Sequence, residues 1–154
     1  MGTPTLGYEE DTALPKREAA RIQLEEAIAL FTRENFLCAL TLAGAAEELL
    51  ARLSNSTGSK STMESSAAAL LDLKRIMGLE GLADTNQSTL FKRWNGARNA
   101  VKHQSSDESE IVVLNLCDEA YWMIRRALAN AKLVGLQIQS EVDFENWVVM
   151  NVNL

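Results

Sequence analysis

The chain is expected to fold as an all-α, up-and-down bundle of four to five helices that ends in an irregular C-terminal tail. Three observations predict this class. Apolar residues recur at spacings of three and four along each long segment. The stretches between those segments are short, polar and punctuated by glycine and serine. Hydrophobic residues make up 47% and charged residues 23% of 154 positions, the balance of one packed domain rather than of a disordered chain.

Residues 1–13 hold Gly2, Pro4, Gly7 and the acidic run Glu9, Glu10, Asp11 without apolar periodicity, and are expected to form a mobile arm. The bundle then spans residues 14–135. Its first helix starts near Pro15, which suits a first turn, and carries the stripe Ala20, Leu24, Ala27, Ile28, Phe31 to about Glu34. Residues 36–53 are apolar nearly all round until Glu47 and Glu48, the pattern of a helix buried between neighbours, with Gly44 among alanines allowing close approach. A polar loop over 54–61 ends in Ser61, which with Glu64 makes a capping box for a third helix that Gly78 stops.

Residues 79–85 read as a loop, after which Leu90, Trp94, Ala97 and Val101 share one helical face. Ser105, Ser106 and Asp107 interrupt that helix and offer N-caps for a last long one, whose apolar positions are Ile111, Leu114, Ala120, Ile124, Ala127 and Leu128 and which Gly135 closes. The tail over 136–154 mixes Ile138, Val142, Phe144, Trp147, Val148 and Val149 with polar residues and fits neither period. Its apolar content predicts packing on the bundle or on a partner chain. Trp94, Tyr121 and Trp122 read as core or interface residues rather than as base-stacking ones.

No run of eighteen apolar residues occurs and the N-terminus lacks a signal-peptide layout, so a cytoplasmic protein without membrane contact is expected. Cys38 and Cys117 fall inside apolar helical patterns and read as reduced core residues. A net charge of −6 argues against bulk coating of nucleic acid while leaving room for a local basic cleft. With a single histidine, His103, neither a zinc site nor another cofactor is expected.

That histidine lies in a locally basic strip of an acidic chain. Between Phe91 and Gln104 stand Lys92, Arg93, Arg98 and Lys102 with no acidic residue. On an undistorted helix Asn99 and His103 share the face opposite Trp94 and Val101, while Arg98 lies nearer the core's edge and diverges from His103 by roughly 140°. The two converge only if the helix ends early or two chains meet. The bland alternative is that Arg98, Asn99 and His103 cap and brace a helix end, where cations are favoured.

The run Arg98-Asn99-Ala100-Val101-Lys102-His103 resembles the signature of the HEPN (higher eukaryotes and prokaryotes nucleotide-binding) domain family: an arginine, a polar residue, then a histidine after four intervening positions. The motif stands late in a penultimate long helix, and residues 39–50, ALTLAGAAEELL, look like the early helix of many bacterial members, so the resemblance covers about residues 16–134. It implies a metal-independent ribonuclease, such as a defence or toxin–antitoxin component, with a cleft formed where the motif helices of a homodimer meet. His103 is then the base for a ribose 2′-hydroxyl, Arg98 holds the phosphate and Asn99 orients one of them. Lys102 and Arg93 are candidate guides for the RNA backbone, equally readable as solvated surface charge. Either Glu47 or Glu48 is expected to supply the counter-charge that an arginine at a core's edge needs.

Two functions therefore compete. One is RNA binding with cleavage; the other is a non-catalytic helical dimer that binds a partner protein, encoded elsewhere, or a nucleotide. They differ in whether Arg98 and His103 of two chains line an open positive cleft, or whether a carboxylate such as Glu47 occupies the arginine. A bundle-core small-molecule enzyme is disfavoured because inward Glu-x-x-His pairs are absent.

Overall fold

In the computed structural model, which describes residues 6–78, 81 and 84–152, the chain is all-helical, with seven helices and no strand among the described residues. They are α1 (Lys16–Thr32), α2 (Phe36–Ser56), α3 (Thr62–Met77), α4 (Gln87–Trp94), α5 (Gly96–Ala100), α6 (Leu116–Leu133) and α7 (Glu141–Asn151). Residues 6–13 of the expected arm carry no helix and are exposed; residues 1–5, most of the loop expected over 79–85 and the last two positions of the tail lie outside the described residues.

The core forms where α1, α2 and α6 pack together. Ala20, Leu24, Ala27, Ile28 and Phe31 of α1 meet Ala39, Leu40, Ala43, Ala46 and Leu50 of α2, and Ala120, Met123, Ile124, Ala127 and Leu128 complete the layer from α6. Every one of these is nearly sealed from water, and burying a side chain of the leucine class is worth about 1.5 to 3 kcal/mol. Ser61 accepts from the Glu64 backbone while Glu64 returns a bond to the Ser61 N–H, so the capping box starts α3. Gly135 ends α6 at φ 67°, letting Leu136 N–H donate to Ala131 O over 2.9 Å. The hairpin of α3 and α4 leans on α6 and buries only Ala67 and Leu90 fully, so it is the thinnest part of the fold.

Four expectations need correction. The tail is not irregular: α7 places Phe144 and Val148, one turn apart, into the core beside α1. Phe144 meets Phe31 edge-on at 5.2 Å and Trp147 meets Phe31 at 4.7 Å, contacts worth something beyond their area. Glu25 of α1 fastens the entry to α7 by accepting from Gln139 N–H at 2.7 Å, Ser140 N–H at 3.0 Å and the Ser140 hydroxyl.

The last long helix does not begin after residue 107. Residues 102–115 carry no helix, Ile111 and Val113 are exposed, and Asn115 is the N-cap that accepts from Asp118 N–H. A run with one apolar stripe continued backward looked helical, but three consecutive β-branched residues, Ile111, Val112 and Val113, favour extended backbone. The motif helix is broken too, at Asn95, into α4 and α5. Finally, Cys38 is exposed rather than in the core; Cys117 is half-buried and both are free. Burial, helped by the charges of Asp118 and Glu34, pushes the Cys117 thiol up, which disfavours its reactive thiolate.

Candidate functional site

The centre of the site is a buried carboxylate. Glu47 faces inward on α2, 2% exposed, and is met by polar groups from two other helices, α5 and α6. Its Oε2 stands 3.8 Å from Arg98 Nη1 of α5 and 3.6 Å from Arg126 Nη2 of α6. Its Oε1 accepts from Asn130 Nδ2 of α6 at 3.3 Å, and Asn130 Oδ1 in turn accepts from Thr62 N–H at the start of α3 at 2.8 Å. Both ion pairs are longer than a direct charge-assisted hydrogen bond, so they act mainly through charge.

Arg126 ties this centre to the break between α4 and α5. It donates to Trp94 O at 3.1 Å and to Asn95 Oδ1 at 2.8 Å. Trp94 is the last residue of α4, where a backbone carbonyl has no helical partner, and the guanidinium supplies one. Burial lowers the Arg126 pKa, with Glu47 acting against that and the nearby Arg98 adding to it.

Arg98 is 14% exposed and lies along α2. A Cβ at Gly44 would stand 2.4 Å from Arg98 Cδ, so the absence of a side chain there is what admits the arginine. Arg98 Nη1 donates to Gly44 O at 3.4 Å and also lies 3.8 Å from Glu48 Oε2. The alternative left open between Glu47 and Glu48 thus has no single answer, since both face the same nitrogen. The Glu48 carboxyl is held below the usual carboxylate range chiefly by the hydrogen bond from Arg52, against the effect of burial, and further by Arg98 and Lys102. Lys102 therefore shares the field around Arg98.

Helix α5 ends at Ala100, so His103 is not on the motif helix. Its N–H donates to Asn99 O at 2.9 Å, and its side chain is exposed. It borders a cleft of about 550 Å³ together with Lys102, Gln104 and Glu110, above an apolar floor that includes Leu37 and Leu114; Arg98 does not line it. Asn99 is exposed on a different groove beside Gln87, Phe91 and Lys92, and Arg93 is exposed beside Trp94 in a third. Within one chain, the fold gathers Arg98 with Glu47 and Glu48, places Lys102 beside His103 in one cleft, and turns Asn99 and Arg93 toward two further openings.

Arg126, Asn130 and Asn95 were not anticipated from sequence. The signal was present at Asn130, which falls three residues after Ala127 and seven after Met123 on an otherwise apolar stripe. A polar residue at a core position needs a buried partner, and Glu47 is that partner. Among the described residues, no three His, Cys, Asp or Glu side chains gather closely enough to hold a metal ion, and no helix is long and apolar enough to cross a membrane. Comparison with family models, curated proteins and solved structures finds no match to this chain.

Proposed function

We propose that this chain is a HEPN-like RNA-binding protein and a metal-independent endoribonuclease, its cleavage site completed by a second copy of the chain. The observation that carries this reading is how Arg98 is held. Its hydrogen bond to Gly44 O and its shortest approaches to Glu47 and Glu48 all run through Nη1, whereas Nη2 makes no hydrogen bond among the described residues and Nε is buried without a hydrogen-bond partner. An arginine anchored by one nitrogen and open at the other is pre-organised to receive a phosphate oxygen.

In this reading His103 takes the proton of a ribose 2′-hydroxyl, and the 2′-oxygen then attacks the adjacent phosphorus. The bond from phosphorus to the 5′-oxygen breaks, leaving a 2′,3′-cyclic phosphate, and water returns a proton to the leaving oxygen. Arg98 stabilises the charge that builds on the phosphate, Lys102 adds attraction for the backbone, and Asn99 holds the ribose or the imidazole. Because Arg98 does not line the cleft that His103 borders, the composite site takes Arg98 from one copy and His103 from the other, meeting across the end of α5.

A second reading, a non-catalytic dimer that binds a partner protein or nucleotide, is favoured by one observation: Glu47 and Glu48 already neutralise Arg98. Incubating mixed RNA with wild type and with an Arg98→Ala, His103→Ala double variant in EDTA separates the two, once sizing has shown one oligomeric state for both. Cleavage by wild type alone supports the nuclease. Cleavage by neither supports the binding module, and equal cleavage by both removes the site assignment.

A further inference from the structure

The groove beside Arg93 is an opening that the proposed reaction does not use. It lies between α3, α4 and the first turns of α6, encloses about 620 Å³ and shares no lining residue with the cleft at His103. Two indoles form its walls. Trp94 is half-buried at the end of α4, and Trp122 is 63% exposed on α6, with Tyr121 edge-on to it at 4.9 Å. An indole costs free energy when left in water, and an exposed one beside a groove of ligand size offers a flat face on which a ring can stack.

The charges around these rings are unequally engaged. Arg125 is committed to Glu145 and lies over the Tyr121 ring, and Arg126 is committed to the buried centre. The Arg93 side chain makes no ion pair or hydrogen bond among the described residues, and the groove borders Arg126, whose buried Nε lacks a hydrogen-bond partner. One carboxylate, Glu119, also lines the groove and makes no side-chain hydrogen bond. A free guanidinium, an open indole and one acceptor match the three parts of a nucleotide: phosphate, base face and an amino-bearing base edge.

We infer that this groove binds one nucleotide of a single-stranded RNA, the base stacked on Trp122, the phosphate on Arg93 and an exocyclic amino group donating to Glu119. The inference rests on the RNA reading and adds to it a subsite outside the reacting groups. Glu119 sets a preference: adenine, cytosine and guanine carry the amino group, and uracil does not. The buried centre links the subsite to Arg98, since Arg126 touches both the groove and Glu47.

The test is fluorescence anisotropy of labelled six-nucleotide oligoadenylate and oligouridylate with the full chain at low salt, for wild type, Trp122→Ala, Trp122→Phe, Arg93→Ala and Lys102→Ala. Trp122 and Arg93 are exposed, and circular dichroism checks that their variants keep the fold. Wild type is expected to bind oligoadenylate more tightly. Trp122→Ala should weaken that binding roughly tenfold or more, with Trp122→Phe recovering part. Arg93→Ala should weaken both ligands and flatten the salt dependence by about 0.7 on logarithmic axes. Unchanged binding in Trp122→Ala and Arg93→Ala, with loss in Lys102→Ala, overturns the subsite and leaves the RNA reading standing. No binding of either ligand by wild type overturns both.

Discussion

Glu47 Oε2 stands 3.6 Å from Arg126 Nη2, and the carboxylate and guanidinium meet where almost no water reaches. Because Arg98 faces the same oxygen at 3.8 Å, this one carboxylate serves two arginines, and through Asn130 it also holds the first turn of α3. Glu47→Gln keeps the shape and the Asn130 contact but leaves two cations facing an uncharged amide. A loss of roughly 3 kcal/mol in denaturant unfolding is expected, near the lower end for removing one partner of a buried charge cluster. A loss below about 1 kcal/mol would show that solvent screens the cluster.

Gly44 and Arg98 are coupled sterically. Gly44→Ala puts a methyl group into Arg98 Cδ, so overpacking outweighs the gain in helix propensity and a net loss of about 1 kcal/mol is expected. In an Arg98→Ala background the clash is gone, and Gly44→Ala should instead stabilise by up to about 1 kcal/mol. A double-mutant cycle in thermal or urea unfolding reads the change of sign.

Phe144 anchors α7. Its ring is fully buried against Phe31 and stacks on Tyr121 at 5.7 Å, so Phe144→Ala should cost about 3 to 5 kcal/mol. Hydrogen exchange should show α7 amides losing protection before those of α2. Equal protection throughout would mean that α7 opens only with the whole fold.

Glu25 makes that anchorage acid-sensitive. Burial alone would raise its carboxyl, but the Ser140 hydroxyl and the N–H groups of Gln139 and Ser140 together hold it below its ordinary 4.5. A carboxyl lowered in the folded state contributes stability that is complete above the unfolded value and is lost as pH falls through the folded one. Melting temperatures of wild type should therefore fall more steeply than those of Glu25→Gln as pH drops from about 5 to 3. Parallel curves would remove Glu25 from the acid response.

The composite-site proposal makes a complementation prediction. Arg98→Ala and His103→Ala chains should each be inactive, yet mixing and re-equilibrating them should restore about a quarter of wild-type cleavage, since half the dimers are mixed and each holds one intact site of two. Failure of mixing to restore activity, with exchange confirmed by sizing of tagged chains, would place both groups in one chain.

The helical class, α1, α2, the start of α3 and the end of α6 were legible because each rests on local rules: a stripe at spacings of three and four, the Ser61 capping box, Gly135 at positive φ. Where a rule was ambiguous the reading failed. Exposed Val149 and Met150 blur the short stripe of Phe144 and Val148, and the spacing of Ile111 and Leu114 suits a helix while the β-branched run Ile111 to Val113 disfavours one. The chain also displayed Arg98, Asn99 and His103 as a motif, but not the break at Asn95 or the helix end at Ala100.

What the sequence determined by itself was an acidic chain of amphipathic helices with its single histidine inside a locally basic strip. Only the tertiary structure decided that Glu47, Arg98, Arg126 and Asn130, as much as 83 residues apart, form one polar centre. The physical reason is that a helical stripe specifies which side of a segment turns inward. Which charge it meets there depends on how α2, α5 and α6 cross, and their packing fixes that crossing.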